Sequence, residues 1–379
     1  MVTRTVVFPL SLSEEQKGAL LETVDLYTKA WNHYVDIAWR NPKISTKKLH
    51  HEGYYCVRNE LGLKAQYTCS SRDRALESVR SAKEREKRGK KVSKPSSSSI
   101  PVRLDKNTFS FRGEKSSVTV TTQGKRIEVP LVWHRHAMRY VDWMCRSGEI
   151  GFTKWGVPVL RLFFMKEPKS YPRTGVIIGA DRGIKRQIVL STNKFYGRAV
   201  WKEHERKLLS LISRLQAKGT KSAKQHLKKL WRRLRLFRED CDRVVAKEIM
   251  KLLQPGDTIV LEDLTNIRDR CGAKGKAHKK HRRKVGRWSF KRLEQMIKYY
   301  AELEGIYVEA VSPHYTSQTC SRCGIVCKNN RKSRSLYSCK CGLRLNADLN
   351  AARNIANRWC EANGGASGPP VNRPIVANL

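Results

Sequence analysis

The sequence predicts a multidomain α+β protein, and three observations carry that prediction. Hydrophobic periodicity changes from helical to alternating near Ile100. From Gly175 onward, the patterns run three strands, helices, strand, helix, strand. A segment holding five of the eleven cysteines (Cys320, Cys323, Cys327, Cys339 and Cys341) then precedes a final helix. With 379 residues, 40% of them hydrophobic, the chain has room for two or three domains with real cores.

Charge narrows the function classes. There are 77 Lys and Arg against 34 Asp and Glu, a formal net charge of +43. Self-repulsion on that scale points to a polyanionic partner, and nucleic acid fits it best because the basic residues are spread along the whole chain. No apolar run approaches the roughly 18 residues of a membrane span. The start, "MVTRTVVFPLSLSEEQ", lacks a signal-peptide core and cleavage site. A cytoplasmic protein with no membrane partner is therefore expected, its scattered cysteines being free thiols.

The elements follow in order. "VTRTVVFPL" reads as a strand ending at Pro9, and Ser13 with Gln16 forms a capping box that opens a helix. Leu20, Val24, Tyr27, Trp31 and Tyr34 recur at helical steps, so one face of this helix is buried. Helical sequence continues to about Lys87, and "GKKVSKPSSSSIP" interrupts it as a loop or linker. Strands are expected in "NTFSFRG", "SSVTVTTQGKRIEVPLVW" and "GVPVLRLFFMK", with "TQGK" as a hairpin turn. If the first strand joins this sheet, the helices before residue 96 are an insertion.

Past Gly175, "GVIIGADRG", "RQIVLST" and "FYGRAV" form a three-stranded meander, followed by two long helices. In the second, Leu227, Leu230, Leu234, Phe237, Cys241, Val244 and Val245 make an apolar seam for a helical hairpin, while Arg232 and Arg233 on the opposite face are candidates for phosphate contact. "DTIVLEDL" is a strand ending in acids. Residues 268–287, half of them Lys or Arg, form a mobile basic loop. There Lys279, Lys280, Arg282, Arg283 and Lys284 are nucleic-acid candidates. Ser289 caps a further helix with Phe290, Leu293, Ile297 and Tyr300 inward, and "IYVEAV" is the last strand before the cysteines.

Cys320-x-x-Cys323, fifteen residues, then Cys339-x-Cys341 approaches a four-cysteine zinc ribbon, with Gly324 and Gly342 closing its two turns. Four thiolates would complete the shell of one structural Zn²⁺. The second knuckle has one intervening residue where the usual ribbon has two, which leaves Cys327 as a substitute ligand. A ribbon alone names no function.

Three acids stand at special places. Asp181 closes the first strand of the meander, Glu262 closes the strand after the long helices, and Asp348 opens the final helix. In a ribonuclease-H-like sheet these places converge, and that chemistry needs carboxylates holding two divalent cations about 4 Å apart. Glu262 is preferred to Asp263 because it shares a strand face with Val260.

"GADRGIKRQIVLS", "IVLEDL", "RWSFKRLEQMIKYYAELEGIYVEAVSPHYTSQTCSRCG" and "CKCGLRLNADLNAARNIANRW" resemble the RuvC-type nuclease domain and zinc ribbon of the TnpB family. These are RNA-guided DNA endonucleases of insertion sequences, regarded as ancestors of type V CRISPR effectors. The resemblance implies a RuvC/RNase H-like nuclease domain over 171–312 and 346–360, interrupted by a zinc ribbon that binds target nucleic acid over 313–345. It further implies a wedge β-barrel over 1–10 and 100–170, a helical recognition lobe over 11–99, and a flexible tail over 361–379. Asp181, Glu262 and Asp348 match the family's catalytic acids, binding two Mg²⁺. Cys320, Cys323, Cys339 and Cys341 match its zinc ligands. The implied partners are a guide RNA from the transposon end and double-stranded target DNA, bound by a monomer in the ribonucleoprotein. Arg72, Arg74 and Arg80, in the basic stretch "RDRALESVRSAKEREKRGKK", are candidates for duplex contact. Three alternatives stay open at this level: a miniature type V CRISPR effector, a binding-only regulator and a transposase.

Overall fold

The structure is a computed structural model. It describes residues 1–173, 175–184, 186–265, 267, 285–286, 288 and 290–364. The candidates Lys279, Lys280, Arg282, Arg283 and Lys284, the cap Ser289 and the tail from 365 onward lie outside the described residues. The chain divides into two units, Met1–Glu167 and Pro168–Leu379.

In the first unit, strand β1 (Val2–Pro9) pairs antiparallel along its whole length with β7 (Pro158–Lys166). β6 (Met144–Phe152) and β2 (Val102–Leu104) complete a four-stranded sheet in the order β1-β7-β6-β2. A second antiparallel sheet joins β3 (Phe109–Arg112), β4 (Ser117–Thr121) and β5 (Arg126–Pro130). Helices α1 (Glu14–Arg40), α2 (Thr46–Glu60) and α3 (Ala65–Lys87) therefore leave and return between two strands of one sheet. Ser13 and Gln16 make the reciprocal capping box, and Leu20, Val24, Tyr27, Trp31 and Tyr34 are all buried. Tyr27 meets Tyr67 of α3 edge to face at 6.2 Å.

Two findings in this unit go beyond the sequence reading. The serine-rich segment is a loop, as expected, but it is tied down: Asn32 of α1 brackets Ser97 through both its amide groups, and Thr28 Oγ1 accepts from Ile100 N at 3.1 Å. The strand β6 was not expected, because Gly148 and Gly151 break its alternation. Those glycines admit close neighbours instead, a Cβ at Gly148 lying 2.7 Å from the Arg161 carbonyl oxygen.

The second unit is built on a five-stranded sheet in the order β10-β9-β8-β11-β12. Its strands are β8 (Ile177–Asp181), β9 (Ile188–Leu190), β10 (Phe195–Tyr196), β11 (Thr258–Glu262) and β12 (Tyr307–Val311). The meander β8–β10 is antiparallel, whereas β8, β11 and β12 run parallel. Helices α4 (Ala199–Lys218) and α5 (Lys221–Met250) form the expected hairpin, closed by Leu208, Ile212, Leu230 and Leu234. Helix α6 (Phe290–Glu304) connects β11 to β12 in sequence, and α7 (Ala347–Ala362) follows the cysteine segment.

Period-two alternation divides the residues of this sheet between two faces. Ile178, Ala180, Ile259 and Leu261 pack with Val245, Ala246 and Ile249 of α5 and with Leu293, Ile297 and Ala301 of α6. Gly179 faces the other way, against α7. A Cβ there would lie 2.0 Å from the Ala352 carbonyl oxygen and 2.7 Å from the Ala356 amide nitrogen. Strand and helix backbones thus touch, and the small buried residues Ala351, Ala352 and Ala356 permit it. Gly179→Ala should destabilise the protein by about 2 kcal/mol through overpacking, read as a lowered Tm with the secondary structure retained. An unchanged Tm would show that α7 can shift without cost.

Candidate functional site

Strand register brings the first two acids together. Ala180 pairs with Leu261 on the adjacent parallel strands β8 and β11, and Asp181 and Glu262 each follow by one residue. Both therefore stand at the carboxyl edge of the sheet, on the face that α7 covers. Asp348 lies in the first turn of α7, where Asn346 caps the helix by accepting from the Asp348 and Leu349 amides at 2.9 and 3.3 Å.

A cleft of about 300 Å³ opens here, lined by Asp181, Glu262, Leu264, Ile267, Pro313, Thr316, Ser317, Arg331 and Ala351. Arg331 is paired with Asp348, Nη2 to Oδ1 at 3.3 Å. Asp263 is exposed, and its carboxylate accepts from Thr265 N at 2.9 Å in a local turn. Glu262 is the acid of that pair which lines the cleft.

Glu262 is held at both ends. Its carboxylate Oε1 accepts from the Thr316 hydroxyl at 2.6 Å, and its backbone carbonyl accepts from the Arg182 guanidinium. The Arg182 side chain is wholly buried and also donates to Glu294 Oε2 at 2.8 Å and to the Phe290 carbonyl at 3.1 Å, joining the ends of β8 and β11 to the start of α6.

Electrostatics set the character of the cleft. Burial, reinforced by the neighbouring Glu262 and Asp348, drives the Asp181 carboxyl well above the usual range, against the opposing pull of Arg331 and Arg182. Burial also raises Glu262, opposed by the Thr316 hydrogen bond and by Arg182, Arg358 and Arg331. Crowded carboxylates of this kind favour a cation among them. As hard oxygen donors they fit Mg²⁺ better than a soft metal.

The cysteines form a second centre. The Sγ atoms of Cys320, Cys323, Cys339 and Cys341 all lie within 4.8 Å of one another, with Cys320–Cys341 at 3.6 Å and Cys323–Cys339 at 3.7 Å. A tetrahedral ion with bonds of about 2.3 Å requires sulfur separations near 3.8 Å, so the set fits zinc. Gly324 and Gly342 take positive φ of 73° and 85°, closing both knuckles. Cys327 is outside the cluster, at the cap of a short 3-10 turn. The second knuckle is the turn of a hairpin between β13 (Leu336–Ser338) and β14 (Arg344–Asn346), and the last residue of β14 is the cap of α7. The ribbon hairpin runs directly into the turn that carries Asp348.

Sequence reasoning missed several residues here. Arg331 is one cation among many in "KNNRKSR", and nothing local marks it. Asn346, Asn350 and Asn354 did leave a signal, an amide every fourth residue along the final helix. Asn350 and Asn354 are buried and bind the chain leading into the first knuckle: both donate to the Thr319 carbonyl at 2.7 Å, and Ser321 N donates to Asn350 Oδ1 at 3.0 Å.

None of the other described candidates is among the residues that line the cleft. Arg72 is bound to Asp73 and to His50, and Arg74 to Glu149 and the Pro101 carbonyl, so both are committed within the first unit; Arg80 is exposed. Arg232 and Arg233 are exposed on α5 and, with Lys229, His204 and Phe237, line an open groove.

The raised Asp181 makes a pH prediction. A folded-state pKa above the unfolded value means stability that is full below about pH 4 and is lost as pH rises through the folded value. Without added Mg²⁺, Asp181→Asn should therefore raise Tm at neutral pH by several degrees, and the gain should vanish toward pH 4. A pH-independent difference would place the burden elsewhere.

Comparison with known proteins adds to this geometry. Residues 290–355 match the family model described as Cas12f1-like, TNB domain. The CRISPR-associated endodeoxyribonuclease Cas12f1 of Sulfoacidibacillus thermotolerans is 46% identical over 100 residues, covering 26% of this chain and 21% of the relative. A TnpB-like protein of Aquifex aeolicus is 34% identical over 155 residues, covering 38% of this chain and 49% of the relative. The match thus spans less than half the length of either relative. In fold, the chain is similar to Cas12f1 as solved by cryo-EM with its sgRNA and target DNA, with a TM-score of 0.62 at 16% identity over 92% of this chain and 83% of that one. The chain carries a Cas12f1-like TNB domain and is a relative of the TnpB-like proteins and of Cas12f1.

Proposed function

We propose that the protein is an RNA-guided DNA endonuclease of a transposon, hydrolysing phosphodiester bonds at a RuvC-like, Mg²⁺-dependent site next to a short adjacent motif. One observation carries this reading: Asp181 and Glu262 end adjacent parallel strands at one edge of a β-sheet, and Asp348, at the start of the helix on that face, is near enough to raise the Asp181 carboxyl. Relatives named endodeoxyribonuclease and TnpB-like support it. When bound, two Mg²⁺ would activate water and stabilise the leaving oxygen. The three acids would hold the ions, and Arg331 supplies a fixed positive charge at the rim of the cleft.

In the same reading, residues 1–10 and 100–170 serve as the wedge and 11–99 as the recognition lobe, guide RNA supplies sequence specificity, and double-stranded DNA is the target. A net charge of +43 matches a protein that must neutralise both polyanions. The likeness to Cas12f1 favours a second reading, a miniature type V CRISPR effector. A repeat-spacer array or transposon ends in the flanking DNA distinguishes the two.

The test is to purify the protein with its flanking DNA co-expressed, sequence the RNA that accompanies it, and assay cleavage with matched RNA. Cutting should occur only beside a fixed short motif, and Asp181→Ala, Glu262→Ala and Asp348→Ala should each lower it by at least about 10²-fold while guided DNA binding survives. Site-specific cutting by RNA-free protein would overturn the guided reading.

The ribbon is proposed to hold one structural Zn²⁺. Elemental analysis should find about one zinc per chain. Cys339→Ser should reduce zinc and cleavage together, and Cys327→Ser should reduce neither. Loss of zinc in Cys327→Ser with retention in Cys341→Ser would refute the ligand set.

A further inference from the structure

The segment "YTSQT", just before the first knuckle, has no role in the ligand sets above, yet it touches the acid cleft. Thr316 is 3% exposed, and its hydroxyl lies 2.6 Å from Glu262 Oε1 and 3.1 Å from the Pro313 carbonyl. A hydroxyl has one proton to give, and the shorter contact to a charged oxygen takes it. Thr is stiff at χ1, so this donor points in one direction.

Other contacts fix where Thr316 stands. Asn354 of α7 donates to the Thr316 carbonyl at 2.8 Å and to the Thr319 carbonyl at 2.7 Å. Asn350 holds the same strand of chain through Thr319 and Ser321, on either side of Cys320. The preceding residue, Tyr315, adopts φ of +60°, a left-handed conformation that a bulky side chain rarely takes. Strain of this kind persists only where the surroundings over-determine it. Here it turns the chain so that Thr316 enters the cleft while Tyr315 stays exposed.

We propose that Thr316 is a positioning residue for Glu262, and that through it the zinc ribbon sets the orientation of the carboxylate in the cleft. This rests on the reading of Glu262 as a metal ligand. With Oε1 accepting from the hydroxyl, rotation of the carboxylate is restrained, and Oε2 is left for the cation. The ribbon then acts on the site in two ways, delivering Asp348 through β14 and fixing Glu262 through Thr316.

Three variants of the full-length ribonucleoprotein, Thr316→Val, Thr316→Ser and Glu262→Ala, test this. The measurements are zinc content, Tm, Mn²⁺ binding by calorimetry and the Mg²⁺ dependence of cleavage. Thr316→Val, which keeps the shape and removes the donor, should retain zinc and Tm but weaken Mn²⁺ binding about tenfold, the usual effect of losing a partner that orients a ligand. The Mg²⁺ needed for half-maximal cutting should rise in step, and Thr316→Ser should restore both. Unchanged Mn²⁺ binding in Thr316→Val overturns the proposal. So does loss of zinc or Tm in that variant, which would assign the hydroxyl to the ribbon's own fold. Mn²⁺ binding unaffected by Glu262→Ala would instead refute the reading of the site.

Discussion

The backbone contact between β8 and α7 at Gly179 is the constraint from which the site is built. A side chain at that position would drive the helix away from the sheet, because the Ala352 carbonyl already lies where a Cβ would be. Asp348 begins that helix, so its distance from Asp181 is set by how closely helix and strand can approach. Asn350 and Asn354 ride on the same helix and grip the chain leading into the first knuckle. A single missing methyl group therefore governs the placement of one acid and of the ribbon that precedes it.

Burying carboxylates together is costly, and the molecule offsets that cost locally. Arg331 pairs with Asp348 at the rim, while Arg182 lies beneath, bound to Glu294 and to two backbone carbonyls. These two arginines differ in kind from the exposed ones. Arg232 and Arg233 are exposed on α5, whereas Arg182 is a buried strut whose removal would break three hydrogen bonds at once. Net charge describes the first group well and conceals the second.

The connections of the four-cysteine cluster run inward. Its second knuckle ends at the α7 cap, and the chain entering its first knuckle donates to Glu262. The four sulfurs close around one point, and short stretches of chain join that cluster to Asp348 and to Glu262. The first unit has a parallel lesson, for its serine-rich segment is polar enough to read as a linker yet is hydrogen-bonded to α1.

Local pattern determined a great deal. The capping box, the buried stripe of α1, the meander, the helical hairpin and the spacing of four cysteines all depend on neighbours within a few residues or on one repeating period, so the sequence alone displays them. The choice of Glu262 over Asp263 followed from the two-residue repeat of a strand. What tertiary structure decided were contacts between residues far apart in sequence. β6 could not be seen because its glycines answer to β7 and to Pro101 rather than to their own neighbours. The contacts of Arg72 with His50 and of Arg74 with Glu149 join separate elements and leave no mark in the local pattern. Arg182, Thr316 and Arg331 carry no local signature, because their roles exist only once strand ends, ribbon and helix meet at one edge of the sheet.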